Sequence, residues 1–135
     1  INDYQKNRFA QKIIDHFGGD LTGKKIAILG WAFKSNTNDS RESPAIYVTK
    51  KLVNHGAQIK IFDPLVSSST IIKDFEDYNI NKDACLICSD MDECIDSVEL
   101  IAILTETTVY KDLGKEVPIY DGRGINKKAQ FTIGK

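Results

Sequence analysis

Two cationic side chains, Lys34 and Arg41, lie in a polar segment between a short apolar run and the start of an expected helix. The apolar run ends at Gly30, and the segment that follows is rich in Ser, Asn, Thr and Asp, residues that favour turns. Ser43-Pro44 marks the helix start, because serine caps helices and proline suits the first helical turn. A helix N-terminus and nearby cations attract anions, so this segment is a candidate anion-binding loop.

A third cation, Arg123, lies between Gly122 and Gly124 after a later apolar run. Flanking glycines allow a ligand to approach the backbone closely, and a guanidinium can bind a phosphate through two hydrogen bonds. Each cation also has an interpretation without a ligand. Arg123 could face water and Lys34 could be solvated. Arg41 could form a surface ion pair with the adjacent glutamate, which would stabilise the fold by less than about 1 kcal/mol. The residue types alone leave both interpretations open at all three cations.

The apolar run before the first loop does not carry the G-x-G-x-x-G pattern, since Gly30 is followed by Trp31-Ala-Phe33. Without those glycines the backbone cannot close around a pyrophosphate, so we do not expect the main dinucleotide-binding domain of an oxidoreductase. Asp63, which closes the next apolar run, could accept a hydrogen bond from a ribose hydroxyl. The alternative is that Asp63-Pro64 only ends a strand. No nucleophile and base pair up in the sequence, so we predict no catalytic residue in this chain.

The composition is that of a globular domain. The chain has 135 residues, of which 41% are hydrophobic and 27% charged, values close to the averages for single soluble domains. The net charge of −1 argues against non-specific binding to nucleic acid or anionic membranes. No apolar run approaches the roughly 20 residues of a membrane span, and no signal-peptide pattern opens the chain. We therefore expect a cytoplasmic protein with neither a nucleic-acid nor a membrane partner.

The three cysteines are predicted to be reduced, buried core residues. Cys85 and Cys88 lie in an expected strand, where residues three apart point to opposite faces and cannot readily share a metal ion. Cys94 makes the number odd, and no nearby histidine completes a zinc site. We predict neither a disulfide framework nor a metal site.

Hydrophobic periodicity predicts alternating strands and helices. We expect helices at 2–17, 43–55, 67–78 and 90–97, and strands at 24–30, 58–62, 84–88, 98–104, 117–120 and 130–133. In the third helix Ile71, Ile72 and Phe75 are expected to face inward. Such alternation predicts an α/β fold, a Rossmann-like, doubly wound, mostly parallel sheet of about five to six strands, preceded by an N-terminal helix. That first helix either packs on the sheet or continues a helix from preceding sequence.

Four strings of the sequence resemble the nucleotide-sugar 6-dehydrogenase family, and within it the UDP-glucose 6-dehydrogenases. They are Asn2-Asp-Tyr-Gln5, Gly30-Trp-Ala-Phe-Lys34, Thr37-Asn-Asp-Ser-Arg-Glu-Ser43 and Asp121-Gly-Arg123. The resemblance extends from about residue 2 to residue 124. It implies that residues 1–19 are the end of an interdomain (central) helix and that residues 20–135 are the C-terminal UDP-sugar-binding domain.

Enzymes of that family oxidise UDP-glucose to UDP-glucuronate with two NAD, and their N-terminal domain binds NAD. The resemblance implies that Phe33, Lys34 and Arg123 bind UDP-glucose and that Arg41 reaches across the cleft to the NAD cofactor. The family's reactive cysteine has no counterpart here, because none of the three cysteines matches its position. The isolated chain is therefore expected to be inactive.

The sequence also departs from the family. Trp31 stands where relatives commonly have Phe or Leu, a tolerable change on an apolar surface. The segment 124–130 is too short for the helix that relatives insert there. We therefore expect the edge of the sheet to be less covered than in relatives and the surroundings of Arg123 to differ from theirs.

Two other functions stay open. One is the same domain of another nucleotide-sugar dehydrogenase, acting on UDP-N-acetylmannosamine or GDP-mannose. The other is a non-catalytic nucleotide-sugar-binding or dimerisation module, in which Tyr4, Phe9 and Ile13 of the first helix, exposed when the helix's partner is absent, form the dimerisation face. The chain opens at Ile1 without Met, so we expect a piece of a longer protein, which in full length is a homo-oligomer.

Overall fold

The computed structural model describes residues 3–32, 43–105, 117–122 and 131–132. The helices are α1 (Asp3–His16), α2 (Pro44–Asn54), α3 (Ser68–Asp77) and α4 (Met91–Ile95). The strands are β1 (Lys25–Leu29), β2 (Gln58–Phe62), β3 (Cys85–Ile87), β4 (Leu100–Ile103), β5 (Ile119–Asp121) and β6 (Phe131–Thr132), and a short 3-10 turn (Lys82–Ala84) precedes β3. Among these residues no helix is long and apolar enough to cross a bilayer.

The six strands form one sheet in the order β3-β2-β1-β4-β5-β6. All five pairings are parallel. The chain builds outward from β1 to β3 and then crosses to the other side of β1, where it continues with β4. The predicted doubly wound α/β sheet is thereby confirmed, and its direction of winding reverses between β1 and β4.

After Lys25, all residues of β1 are apolar and buried, because helices cover both faces of the sheet. On one face, Ile26 and Ile28 of β1 join a core with α1, α2 and α3. On the other, Ala27 and Leu29 join a smaller core with α4. All four residues of β4 are buried as well, which places β1 and β4 at the centre of the molecule.

Helix α1 packs on the sheet, which was one of the two arrangements left open by the sequence. The side chains of Phe9 and Ile13 are fully buried. They are therefore not available as the dimerisation face that the alternative hypothesis required. The ring of Phe9 lies edge-on to Tyr120 of β5, with centroids 6.4 Å apart. On the neighbouring helix, Tyr47 donates a hydrogen bond to Asn7 of α1 over 3.3 Å. The apolar face of α1 is therefore used within the domain; the side chain of Tyr4 lies outside the described residues.

Side-chain caps start the helices where the sequence predicted. Ser43 Oγ accepts the N–H of Ala45 at the start of α2, and Ser67 Oγ accepts the N–H of Thr70 at the start of α3. One inward prediction is wrong, because Ile72 of α3 is 44% exposed. Its neighbours Ile71 and Phe75 lie four residues apart on the buried face, and one helical step turns Ile72 about 100° away from it.

The cysteines are free thiols on both faces of the sheet. Cys88 and Cys94 are buried in the smaller core. Cys85 is only partly buried, against the larger core, so the prediction of full burial is wrong for this residue. Burial raises the pKa of Cys85 to about 12 and the pKa of Cys94 far above its usual range.

Candidate functional site

The candidate site lies at the carboxyl ends of β1 and β4. In a doubly wound sheet, a crevice opens where the connections leave neighbouring strands toward opposite faces. Here a backbone hydrogen bond continues the pairing of β1 and β4 one residue beyond the end of β4, since the N–H of Leu104 donates to Leu29 O over 2.9 Å. The N–H of Gly122, after β5, donates to Ile103 O over 2.8 Å. Three consecutive strand ends therefore form one edge.

Gly30 lets β1 and β4 approach closely at this edge. Its φ of +100° suits glycine, and an added Cβ would lie 2.4 Å from Thr105 Cβ and 2.6 Å from Thr105 N. Real Cβ atoms do not approach this closely, so no other residue fits without displacement of β4. This glycine serves packing at the edge of the sheet rather than a pyrophosphate cradle.

Asp63, at the end of β2, holds the backbone that follows Gly30. Its Oδ2 accepts the N–H groups of Trp31, over 2.7 Å, and Ala32, over 3.0 Å. Its Oδ1 accepts the N–H of Leu65 over 2.8 Å. Bonds from N–H groups to a carboxylate are stronger than those between neutral groups. Both oxygens are thus used by the protein's own backbone, which agrees with a structural role at the strand end rather than with ribose binding.

The Trp31 side chain is fully buried and points to α3. Its indole Nε1–H donates to Asp74 Oδ2 over 2.8 Å, and its ring lies edge-on to Phe75 with centroids 5.8 Å apart. A tryptophan needs such an acceptor when buried, because an unpaired N–H is costly to desolvate. Trp31 is therefore a core residue with a polar contact, and not part of an apolar surface.

The carbonyl of Ala32 joins two further elements. It accepts a hydrogen bond from Thr105 Oγ1 over 2.8 Å and a longer one from Ser43 Oγ over 3.5 Å. Ser43 is also the cap of α2, so the two ends of the 33–42 segment meet at this point. Trp31 and Ala32, called the junction below, are thus held by β2, β4, α2 and α3.

The four predicted ligand-binding residues, Phe33, Lys34, Arg41 and Arg123, lie outside the described residues. The structure describes the residues from which their segments start and end: Ala32, Ser43 and Gly122. All three lie at the carboxyl edge, where ligands of doubly wound sheets bind. Sequence reasoning missed the roles of Asp74 and Thr105, because neither lies in a recognisable motif.

No metal centre accompanies this edge in the described part of the chain, where no three His, Cys, Asp or Glu side chains cluster. A surface cleft of about 430 Å³ includes Lys25 and Gln58, the first residues of β1 and β2. It lies at the amino edge, opposite the edge at which such sheets bind their ligands. The carboxyl edge remains the candidate.

The fold and this edge define a doubly wound α/β domain of the type that binds ligands at a topological switch point. Residues 27–128 match the family model described as the UDP-glucose/GDP-mannose dehydrogenase family, UDP binding domain. The chain belongs to this family.

Individual relatives agree with this assignment. The chain is similar to the UDP-glucose 6-dehydrogenase of Bos taurus, with 39% identity over 152 residues, covering 99% of this chain and 31% of the bovine protein. Among solved structures it resembles a UDP-glucose dehydrogenase from Pyrobaculum islandicum, with a TM-score of 0.77 and 29% identity over 98% of this chain and 30% of that one. It also resembles a GDP-mannose dehydrogenase from Pseudomonas aeruginosa, with a TM-score of 0.66 and 25% identity, covering 93% of this chain and 29% of that one. The chain thus spans just under a third of these relatives.

Proposed function

We propose that this chain is the C-terminal UDP-sugar-binding domain of an NAD-dependent UDP-glucose 6-dehydrogenase, which converts UDP-glucose to UDP-glucuronate with two NAD. The observation that carries the proposal is the 39% identity to a UDP-glucose 6-dehydrogenase along 99% of the chain. In this proposal residues 20–135 form the domain, and residues 1–19 are the end of the central helix.

In the proposed complex, Phe33 and Lys34 contact UDP-glucose from the loop after β1, and Arg123 contacts it from the loop after β5. A cation beside a diphosphate forms charge-assisted hydrogen bonds, each contributing about 1.5–3 kcal/mol. The proposal is supported by the position of the flanking residues Ala32 and Gly122, which both lie at the carboxyl edge, after β1 and β5, with only β4 between these two strands.

The residues of this chain do not suit it to hold NAD by itself. Gly30 is followed by Trp31 and Ala32 rather than by further glycines, and its α-carbon faces Thr105. We therefore assign NAD binding mainly to a part of the protein outside this chain, with Arg41 as the contact from this side. Burial and raised thiol pKa values make Cys85 and Cys94 poor nucleophiles, in keeping with an isolated chain that is inactive. We further propose that the full-length protein is a cytoplasmic homo-oligomer.

The substrate contacts can be tested by calorimetric titration of the chain with UDP. We expect Lys34→Ala and Arg123→Ala each to weaken UDP binding about 10- to 100-fold, the equivalent of one charge-assisted hydrogen bond. Lys73→Ala is the matched control, because Lys73 forms an exposed ion pair with Asp77 on α3 and should leave binding unchanged. Equal UDP affinity in the wild type and both site variants would refute the assignment of these residues.

The choice of sugar is tested on the full-length enzyme. The likeness to a GDP-mannose dehydrogenase keeps that substrate as a second candidate, although its identity is only 25%. Rates with UDP-glucose, UDP-N-acetylmannosamine and GDP-mannose should favour UDP-glucose by orders of magnitude in kcat/KM. A higher kcat/KM with either other sugar would overturn the proposed substrate. The dimerisation module is not proposed, since the burial of Phe9 and Ile13 removes the surface on which it depended.

A further inference from the structure

The junction between β1 and the 33–42 segment is held by side chains from two kinds of element, the ends of neighbouring strands and a helix. Asp63 accepts its two backbone N–H groups, and Thr105 donates to its carbonyl. These contacts come from the ends of neighbouring strands. The indole contact differs, because Asp74 reaches the junction from α3, a helix that packs on the face of the sheet.

The Trp31–Asp74 hydrogen bond fixes the direction of a large side chain. Asp74 is only 8% exposed and Trp31 is fully buried, so their hydrogen bond is largely shielded from bulk water. If the indole turned away, a buried N–H would lose its acceptor and a buried carboxylate would lose its donor, each at a cost. The edge-on contact with Phe75 restricts the ring further. The Trp31 side chain therefore has one favourable orientation, which also constrains its own α-carbon.

An apolar pair would fill the same volume without these desolvation costs, and buried polar pairs often specify geometry rather than add stability. The geometry specified here is that of a residue two positions before Phe33 and three before Lys34. We propose that Asp74 is a positioning residue: by holding the Trp31 indole, it fixes Trp31 and Ala32, the last described residues before the proposed contacts Phe33 and Lys34, and thereby supports binding of the diphosphate of the nucleotide sugar. The second half of this statement rests on the proposed function.

The positioning can be tested without ligand by comparing backbone amide NMR shifts in three variants. Asp74→Leu removes the acceptor at similar volume, and Asp74→Asn retains an oxygen that can accept from the indole. Ile95→Ala serves as a destabilised control, because Ile95 lies in α4 on the opposite face of the sheet. We expect the amide shifts of Phe33 and Lys34 to move in Asp74→Leu and to stay near wild type in the other two. Unmoved shifts in a folded Asp74→Leu protein overturn the proposal.

The same variants are then titrated calorimetrically with UDP. We expect Asp74→Leu to bind UDP about 2- to 30-fold more weakly, the range seen when a residue acts through another, while Asp74→Asn stays within about twofold of wild type. Thermal melting by circular dichroism confirms that each variant is folded. An equal loss of affinity in Ile95→Ala would show that stability, and not position, controls binding, and would overturn the proposal.

Failure of the two proposals gives different results. If the NMR shifts move but wild-type chain and Lys34→Ala bind UDP equally, the proposed function is wrong and the positioning of the backbone stands. If Lys34→Ala loses affinity and Asp74→Leu does not, the nucleotide site stands and the role of Asp74 in binding is refuted.

Discussion

Replacement of Gly30 by alanine tests the central packing argument, because the added methyl group meets β4 directly. The new Cβ would lie 2.4 Å from Thr105 Cβ, 2.5 Å from its Oγ1 and 2.6 Å from its backbone nitrogen. The backbone atom cannot rotate away, so β4 or the junction must shift. Overpacking of this kind costs about 1–3 kcal/mol. Weakening of the Thr105–Ala32 hydrogen bond adds about 0.5–1.5 kcal/mol.

A second glycine supplies a control with nearly the same φ. Gly19 has a φ of +96°, close to the +100° of Gly30, and an added Cβ there would meet nothing within 4 Å. Alanine at either position carries left-handed strain of about 1–2 kcal/mol. We therefore expect Gly19→Ala to lower the free energy of unfolding by about 1–2 kcal/mol, and Gly30→Ala by about 2–4 kcal/mol more.

Urea unfolding followed by far-UV circular dichroism measures both losses. The fluorescence of Trp31, the single tryptophan, reports in the same samples on the junction itself. Its emission should shift in folded Gly30→Ala and stay unchanged in Gly19→Ala. Equal destabilisation by the two substitutions would show that Gly30 is required only for its φ and not for the close approach of Thr105.

Three further predictions concern Asp63, the Trp31–Asp74 contact and Cys85. Asp63→Ala should lower the free energy of unfolding by about 2–4 kcal/mol because it removes the acceptor of three backbone N–H groups, whereas Asp77→Ala in an exposed ion pair should cost under about 1 kcal/mol in the same urea assay. Trp31→Phe should lower the free energy of unfolding by about 1–3 kcal/mol, because it leaves Asp74 without its hydrogen-bond donor. The double variant Trp31→Phe/Asp74→Leu should lose less than the sum of the two single substitutions. Additive losses in this double-mutant cycle would count against the hydrogen bond. Burial raises the pKa of Cys85 to about 12, so the folded state keeps this thiol protonated at a pH at which the thiol of the unfolded chain, with a pKa near 9, ionises. The contribution of the protonated thiol to stability should therefore be complete below pH 9 and be lost between pH 9 and 12. Urea unfolding at several pH values should show a smaller decrease in the free energy of unfolding over this range in Cys85→Ala than in the wild type.

Much of the fold could be predicted from local sequence. The strand at Gln58–Phe62 has the predicted bounds, and Ser43 and Ser67 cap helices as expected. Such signals are local, because an apolar run needs burial and a cap needs only the next turn. The topology follows from the alternation of elements and from right-handed crossovers, which leave few arrangements for six parallel strands.

The burial of particular faces was harder to predict. The spacing of Phe9 and Ile13 showed that α1 has an apolar face, but not that this face meets β5 and α2 of the same domain. Ile72 was assigned inward because it is apolar and adjoins Ile71, yet the width of the buried stripe depends on how closely α3 approaches the sheet. Periodicity identifies a face, and only packing determines its partner and its edges.

The sequence by itself determined the family of this chain and its sheet, because these follow from local patterns and from motifs that resemble known relatives. The tertiary structure alone decided what holds the junction. Asp63 and Asp74 are 32 and 43 residues from Trp31 in the chain, and they reach it only because β2 pairs in register with β1 and α3 belongs to the same core as these strands. Such hydrogen bonds require positions accurate to a few tenths of an ångström, which the packing of the whole core sets jointly and no local pattern encodes.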